Sequence, residues 1–130
     1  YKMMDLNVTT FLNISAGFIP HLIEQGAGKV ITIGARSALS GGAKTGAYAA
    51  AKSALLRVTE SMASELKKDN IQVNCVMPST INTPNNRQDM PNADFSKWVQ
   101  PEALAETILF LTSPAADAIS GITLPVYGRA

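Results

Sequence analysis

Apolar positions recur along the chain with two different periods, and the alternation between them lays out the elements. Leu6, Phe11, Ile14, Phe18 and Leu22 fall at helical spacing and predict a first helix, which Gly26 and Gly28 end. No initiator methionine or capping residue precedes Tyr1-Lys2-Met3-Met4, so the chain reads as opening inside or just before that helix. Lys29-Val30-Ile31-Thr32-Ile33 follows as a β-branched run with the length of a buried strand. Gly34 to Gly46 is rich in small residues and predicts a loop. A second helix is expected from about Ala47 to Lys68. Leu55, Leu56, Met62 and Leu66 form its apolar face beside a patch of Ala47, Ala49, Ala50, Ala51 and Ala54, and Lys67 and Lys68 stand where the helix dipole favours cations. Ile71 to Met77 reads as the next strand, stopped by Pro78, and Asn82 to Gln100 reads as irregular. Pro101 opens a third helix at the position proline favours, carrying Leu104, Ile108 and Leu111 inward until Ser113-Pro114 breaks it. Ile122 to Val126 is a last short strand.

Strands separated by helices predict an α/β fold with a doubly wound parallel sheet, of about three strands and three main helices, in one domain. In such sheets ligands sit beyond the carboxyl ends of the strands, which places the chemistry in Gly34 to Tyr48 and Pro78 to Gln100. Composition narrows the partners. The 130 residues are 46% apolar and 16% charged, enough for a core, and a net charge of +1 offers nucleic acid no bulk attraction. The single cysteine, Cys75, lies among apolar neighbours and reads as a buried inert thiol; the single histidine, His21, has no Cys or His beside it with which to hold a metal. No run of eighteen uninterrupted apolar residues and no signal-peptide pattern is present, so a cytoplasmic protein without a membrane partner is expected. Gly42-Ala43-Lys44-Thr45 lacks the spacing of a phosphate loop, and no G-x-G-x-x-G fingerprint occurs.

Tyr48 and Lys52 lie four apart at the start of a helix and therefore on one face, where an ammonium favours the phenolate and lowers the phenol's pKa. A tyrosine so tuned donates a proton near neutral pH. The order around the pair is informative: a strand, a glycine-rich loop, Tyr48-Ala49-Ala50-Ala51-Lys52, a strand ending in Pro78, then Asn82-Thr83-Pro84. This order resembles the carboxyl-terminal half of the short-chain dehydrogenase/reductase family, along essentially the whole chain. The resemblance implies a Rossmann-like fold using NADH or NADPH. By the same resemblance Tyr48 is the catalytic acid, Lys52 its partner and a ligand of the nicotinamide ribose, and Asn7 the helix asparagine that supports a proton-relay water. Thr83 then contacts the cofactor's carboxamide or pyrophosphate, Pro78 shapes the floor under the nicotinamide, and a homodimer forms through the helices containing Asn7 and Tyr48.

Two positions depart from the family pattern. Thirteen residues before Tyr48, where the family usually has a serine to hold the substrate carbonyl, stands Ala35, with Ser37 two residues on as a possible replacement. Ser79 occupies a position that is glycine in many members. Gly34-Ala35-Arg36-Ser37-Ala38-Leu39 and the stretch from Asn82 to Trp98 resemble the dihydropteridine reductase subgroup, which also lacks the serine and keeps the Tyr and Lys. That resemblance implies hydride transfer to a quinonoid dihydropterin, with Tyr48 giving the proton and Met90, Phe95 and Trp98 in the loop over the substrate. The flat ring suits stacking on Trp98; the other reading is that Trp98 and Phe95 anchor the loop to the core. Alternatives remain in an ordinary carbonyl reductase or alcohol dehydrogenase using Ser37, and in a non-catalytic binding protein on the same fold. Placed on the family fold, the chain falls short by roughly three strand-helix units of about 30 residues. It is therefore expected to be the catalytic part of a larger subunit, inactive alone.

Overall fold

In the computed structural model, which describes residues 1–130, helix α1 (Lys2–Gln25) leads into strand β1 (Gly28–Ile33), helix α2 (Gly46–Leu66) and strand β2 (Ile71–Pro78). A short helix α3 (Pro84–Asp89), helix α4 (Pro101–Thr112) and strand β3 (Thr123–Val126) complete it. The strands are all parallel in the order β1-β2-β3, with Gly28 opposite Ile71 and Cys75 opposite Thr123. This is the doubly wound α/β arrangement expected, and the reason lies in β2, whose eight residues are all buried. A strand covered on both faces needs helices on both sides.

Alternation along β2 sorts the two layers. Ile71 and Val73 face Ala63 and Leu66 of α2 and Ile19 and Leu22 of α1. Val76 faces the other way, into a cluster with Val99, Leu104, Leu111 and Ala116, on which Ile31, Ile108 and Leu124 pack. Leu111 is fully buried there. Leu111→Ala is expected to destabilise the fold by about 2–5 kcal/mol, through lost burial plus the cavity left behind; chemical denaturation measures it.

Several boundaries differ from the sequence expectation. Pro78, expected to stop β2, is its last residue and pairs with Val126; a proline at a strand end forfeits no interior ladder bond. The segment from Asn82 to Gln100 is not irregular throughout. Thr83 caps α3 by accepting the Asn86 N–H at 3.2 Å, Pro84 occupies the first turn, and a further turn forms at Phe95–Lys97. The Ile81–Val99 bridge then closes the excursion, with Asn82 N–H bonded to Val99 O at 2.8 Å and Val99 N–H to Thr80 O at 2.9 Å. The loop after β1 likewise contains a tight turn at Arg36–Ala38.

Helix α1 is the one helix long and apolar enough, by length and composition, to cross a bilayer. Here Val8 and Ser15 are buried and Ile19 and Leu22 meet the core. Leu6, Ile14 and Phe18 are exposed at 59%, 56% and 65%, so the apolar face seen in the sequence is wider than the one this fold covers.

Candidate active site

β1 and β2 end side by side, and the loops leaving them wall an open cleft of about 540 Å³. Ala35, Ser37, Tyr48, Lys52, Pro78 and Met90 all line it. The backbone here is brought close by Gly34, whose N–H bonds Val76 O at 2.8 Å. A β-carbon on Gly34 would lie 2.8 Å from the buried Cys75 sulfur, so the thiol's place beneath the cleft requires glycine above it.

Three side-chain bonds hold α2 against β1 and the loop that follows it. Thr32 and Thr59 share a buried hydroxyl–hydroxyl bond of 2.8 Å, with Thr59 also donating to Leu55 O. Ser53 Oγ donates to Ala38 O at 2.7 Å, which ties the preceding loop to the helix. Lys52 Nζ donates to Ile33 O at 2.9 Å, at the last residue of β1. Tyr48, one turn earlier on the same face, holds its ring centroid 5.9 Å from that ammonium.

The electrostatics correct one expectation. Tyr48 does not have its pKa lowered by Lys52; burial pushes the phenol above its ordinary value. Burial also pushes Lys52 below its ordinary value. The ammonium lies near the Tyr48 ring while one of its protons is given to a strand-end carbonyl. In the chain as it stands, Tyr48 is thus a well-protonated donor next to a cation.

The remaining sequence candidates are placed less uniformly. Asn7 is half-buried at the middle of a π-turn, Asp5–Thr9, that interrupts α1 and packs against α2. Its Nδ2 donates to Met3 O at 2.9 Å. Such bulges loosen the helix ladder and recur at functional sites, although Asn7 itself does not line the cleft. Thr83 also lies outside the lining; its hydroxyl oxygen caps α3, and its proton stays available to another acceptor. Trp98 is corrected: it is 8% exposed, rests against Phe95 with ring centroids 4.8 Å apart, and is absent from the cleft wall. It anchors the loop, as Gly128 beside it requires, for a β-carbon there would meet Lys97 O at 2.8 Å.

Four polar side chains of the lining are not among the site residues read from the sequence. Ser79, in line with the departure noted above, turns its hydroxyl to Tyr127 O at 2.8 Å. Thr80 follows it, Asn86 reaches Ile81 O at 2.7 Å, and Arg36 stands over the Tyr127 ring at 4.9 Å. Thr83-Pro84 as a helix-start signature could have located Asn86; nothing local marks Arg36.

A solved structure described as a short chain dehydrogenase/reductase family protein superposes with a TM-score of 0.89 at 30% identity, over 96% of this chain and 55% of the other. A family model described as enoyl-(acyl carrier protein) reductase matches residues 1–128. The chain belongs to the short-chain dehydrogenase/reductase family. Among its relatives, 2-dehydro-3-deoxy-D-gluconate 5-dehydrogenase of Escherichia coli (strain K12) is 34% identical over 97% of this chain and 54% of its own length. The gluconate 5-dehydrogenase of Burkholderia cenocepacia, solved in complex with NADP and tartrate, has a TM-score of 0.87 at 30% identity over 96% of this chain and 53% of that one. The chain thus spans about half the length of the curated family members it matches. A family Rossmann-like fold with the Tyr48–Lys52 pair at the carboxyl ends of its strands is what the sequence resemblance implied.

Proposed function

We propose that the chain carries the acid–base part of a cytoplasmic NAD(P)H-dependent reductase whose substrate is a quinonoid dihydropterin or a similar ring. One observation carries the reading: Tyr48 and Lys52 line the same cleft as Ala35, so donor and cation are present while the family's serine position bears only a methyl group. A ring imine system accepts a proton and a hydride without a hydroxyl to grip a carbonyl. The resemblance of residues 82–98 to dihydropteridine reductase supports the same substrate class.

The residues present fit the nicotinamide end of a dinucleotide. Gly34 keeps the strand end bare of a side chain, and Pro78 and Ser79 continue that wall. Lys52 would hold the ribose, Pro78 would lie under the ring, and Thr83 would offer its free hydroxyl proton to the carboxamide or pyrophosphate. The bound dinucleotide supplies the hydride. Tyr48 supplies the proton, its phenolate then resting beside the Lys52 ammonium, and water held at the Asn7 π-turn restores the proton. Relatives solved with NADP, NAD and NADH support the cofactor. The adenosine end of the dinucleotide would be held by residues outside this chain, which we take as the catalytic part of a longer subunit.

A second reading, a carbonyl reductase or alcohol dehydrogenase, is favoured by Ser37, which lines the same cleft. Ser37→Ala separates the two. On the pterin reading turnover changes by less than about threefold; if Ser37 is the carbonyl donor, kcat falls by roughly 100-fold or more, as when one oxyanion donor is removed.

The exposed apolar face of α1 supports a homodimer through α1 and α2, since patches this apolar mark association surfaces. Light scattering is expected to give twice the subunit mass, and Phe18→Glu the single mass; a monomeric parent would remove the dimer.

A further inference from the structure

Four arginines occur in the chain, and three are engaged. Arg57 pairs with Glu60 at 2.8 Å, Arg87 donates to Asn82 Oδ1 at 2.7 Å, and Arg129 donates to Ser96 O at 3.1 Å. Arg36 has no carboxylate within ion-pair distance and no side-chain hydrogen bond, yet its guanidinium is held, 4.9 Å from the Tyr127 ring centroid. It lines the cleft with Tyr48 and Lys52, and no Asp or Glu does. A stacked guanidinium keeps its N–H edge free and oriented, which is the arrangement that takes a carboxylate through two parallel hydrogen bonds. The other cation of the cleft, Lys52, gives one proton to Ile33 O and under the proposed function spends the others on the ribose and the phenolate, so Arg36 is the uncommitted one.

We infer that Arg36 is a specificity-determining residue of this cleft and selects a ligand whose reducible group carries a carboxylate substituent. The inference rests on the reading of the cleft as a substrate site; it adds what that substrate bears. For a pterin it means an acidic side chain on the ring, and for a carbonyl substrate a keto acid. Tyr127 is the positioning residue, holding the guanidinium at the cleft wall.

The test uses the whole chain, isotope-labelled, in titrations read at the arginine side-chain N–H resonances. The Arg36 signal is identified by its loss in Arg36→Ala. Two matched pairs of probes are compared: pterin-6-carboxylate with 6-hydroxymethylpterin, and tartrate with its diamide. Each carboxylate is expected to shift the Arg36 signal and to bind about tenfold tighter than its neutral partner, the value of one good charged hydrogen bond. Arg36→Ala abolishes that preference, Arg36→Lys keeps part of it, and added salt weakens it. Equal affinity within both pairs, no binding of either carboxylate, or a preference that survives Arg36→Ala would overturn the inference. Tartrate bound through Arg36 with no added affinity from the pterin ring would uphold Arg36 and remove the pterin reading. Pterins bound equally with and without the carboxylate, beside tartrate no tighter than its diamide, would do the reverse.

Discussion

Tyr48→Phe is expected, under the proposed function, to lower turnover by about 10²–10⁴-fold in the longer subunit, the range over which a positioned proton donor contributes. The substitution removes one oxygen from an exposed ring at the cleft wall and leaves the Lys52–Ile33 bond in place. Cofactor affinity should therefore stay within about twofold, and the loss should fall on kcat, because an interaction realised in the transition state is the one deleted. The pH dependence follows from the direction of the shift. Burial raises the phenol's pKa, so Tyr48 stays protonated through the neutral range and reduction should be flat there, falling only on the alkaline side. In the chain alone, the ultraviolet phenolate titration of the parent minus that of Tyr48→Phe should show a group ionising above an ordinary tyrosine. Full kcat in the variant would remove Tyr48 from the chemistry.

Lys52→Ala is expected to have the second largest effect, lowering kcat/KM by about 10²–10³-fold, as when a charge facing a developing anion is removed. Unlike the tyrosine change, this one should act on both binding and chemistry. Lys52 stands between the end of β1 and the Tyr48 ring, and under the proposed function it holds the ribose as well as the phenolate. The loss should therefore divide between a weaker cofactor KM and a lower kcat. The Ile33 carbonyl also loses its side-chain donor, at a cost of about 1 kcal/mol of stability. Lys52→Arg should not restore activity, because a planar fork does not replace a compact ammonium in that gap. Steady-state kinetics varying the cofactor and the substrate in turn resolve the split; a change confined to kcat would contradict the double role.

The elements that were legible in the sequence are those whose cause is local. β2 follows from its β-branched and apolar run, and Tyr48 and Lys52 share a face because of helical period alone. Ala35 and Ser37 fall in the cleft because they follow a strand's carboxyl end. What escaped depends on neighbours distant in sequence. Trp98 reads equally well as a stacking platform or as an anchor until Phe95 and Gly128 are seen against it. Asn82 to Gln100 looks irregular because its order comes from the pairing of Ile81 with Val99 across the excursion. Spacing gives the wrong direction for the Tyr48 phenol because it places Lys52 near the ring but says nothing of burial, or of the carbonyl that takes the lysine's proton. Arg36 became visible only once Tyr127, ninety-one positions later, was beneath it.

Under the proposed function, a cleft with Tyr48 and Lys52, and with Ala35 in place of a serine, reduces a pterin-type ring in preference to a simple ketone. The most direct test follows loss of reduced-nicotinamide absorbance by the subunit with quinonoid dihydropterin, beside a panel of ketones and keto acids. Turnover of the dihydropterin is expected at a kcat/KM about 100-fold or more above any ketone, a margin beyond what one apolar contact supplies. Faster reduction of a ketone, or no consumption of NADH or NADPH with the dihydropterin, would contradict it.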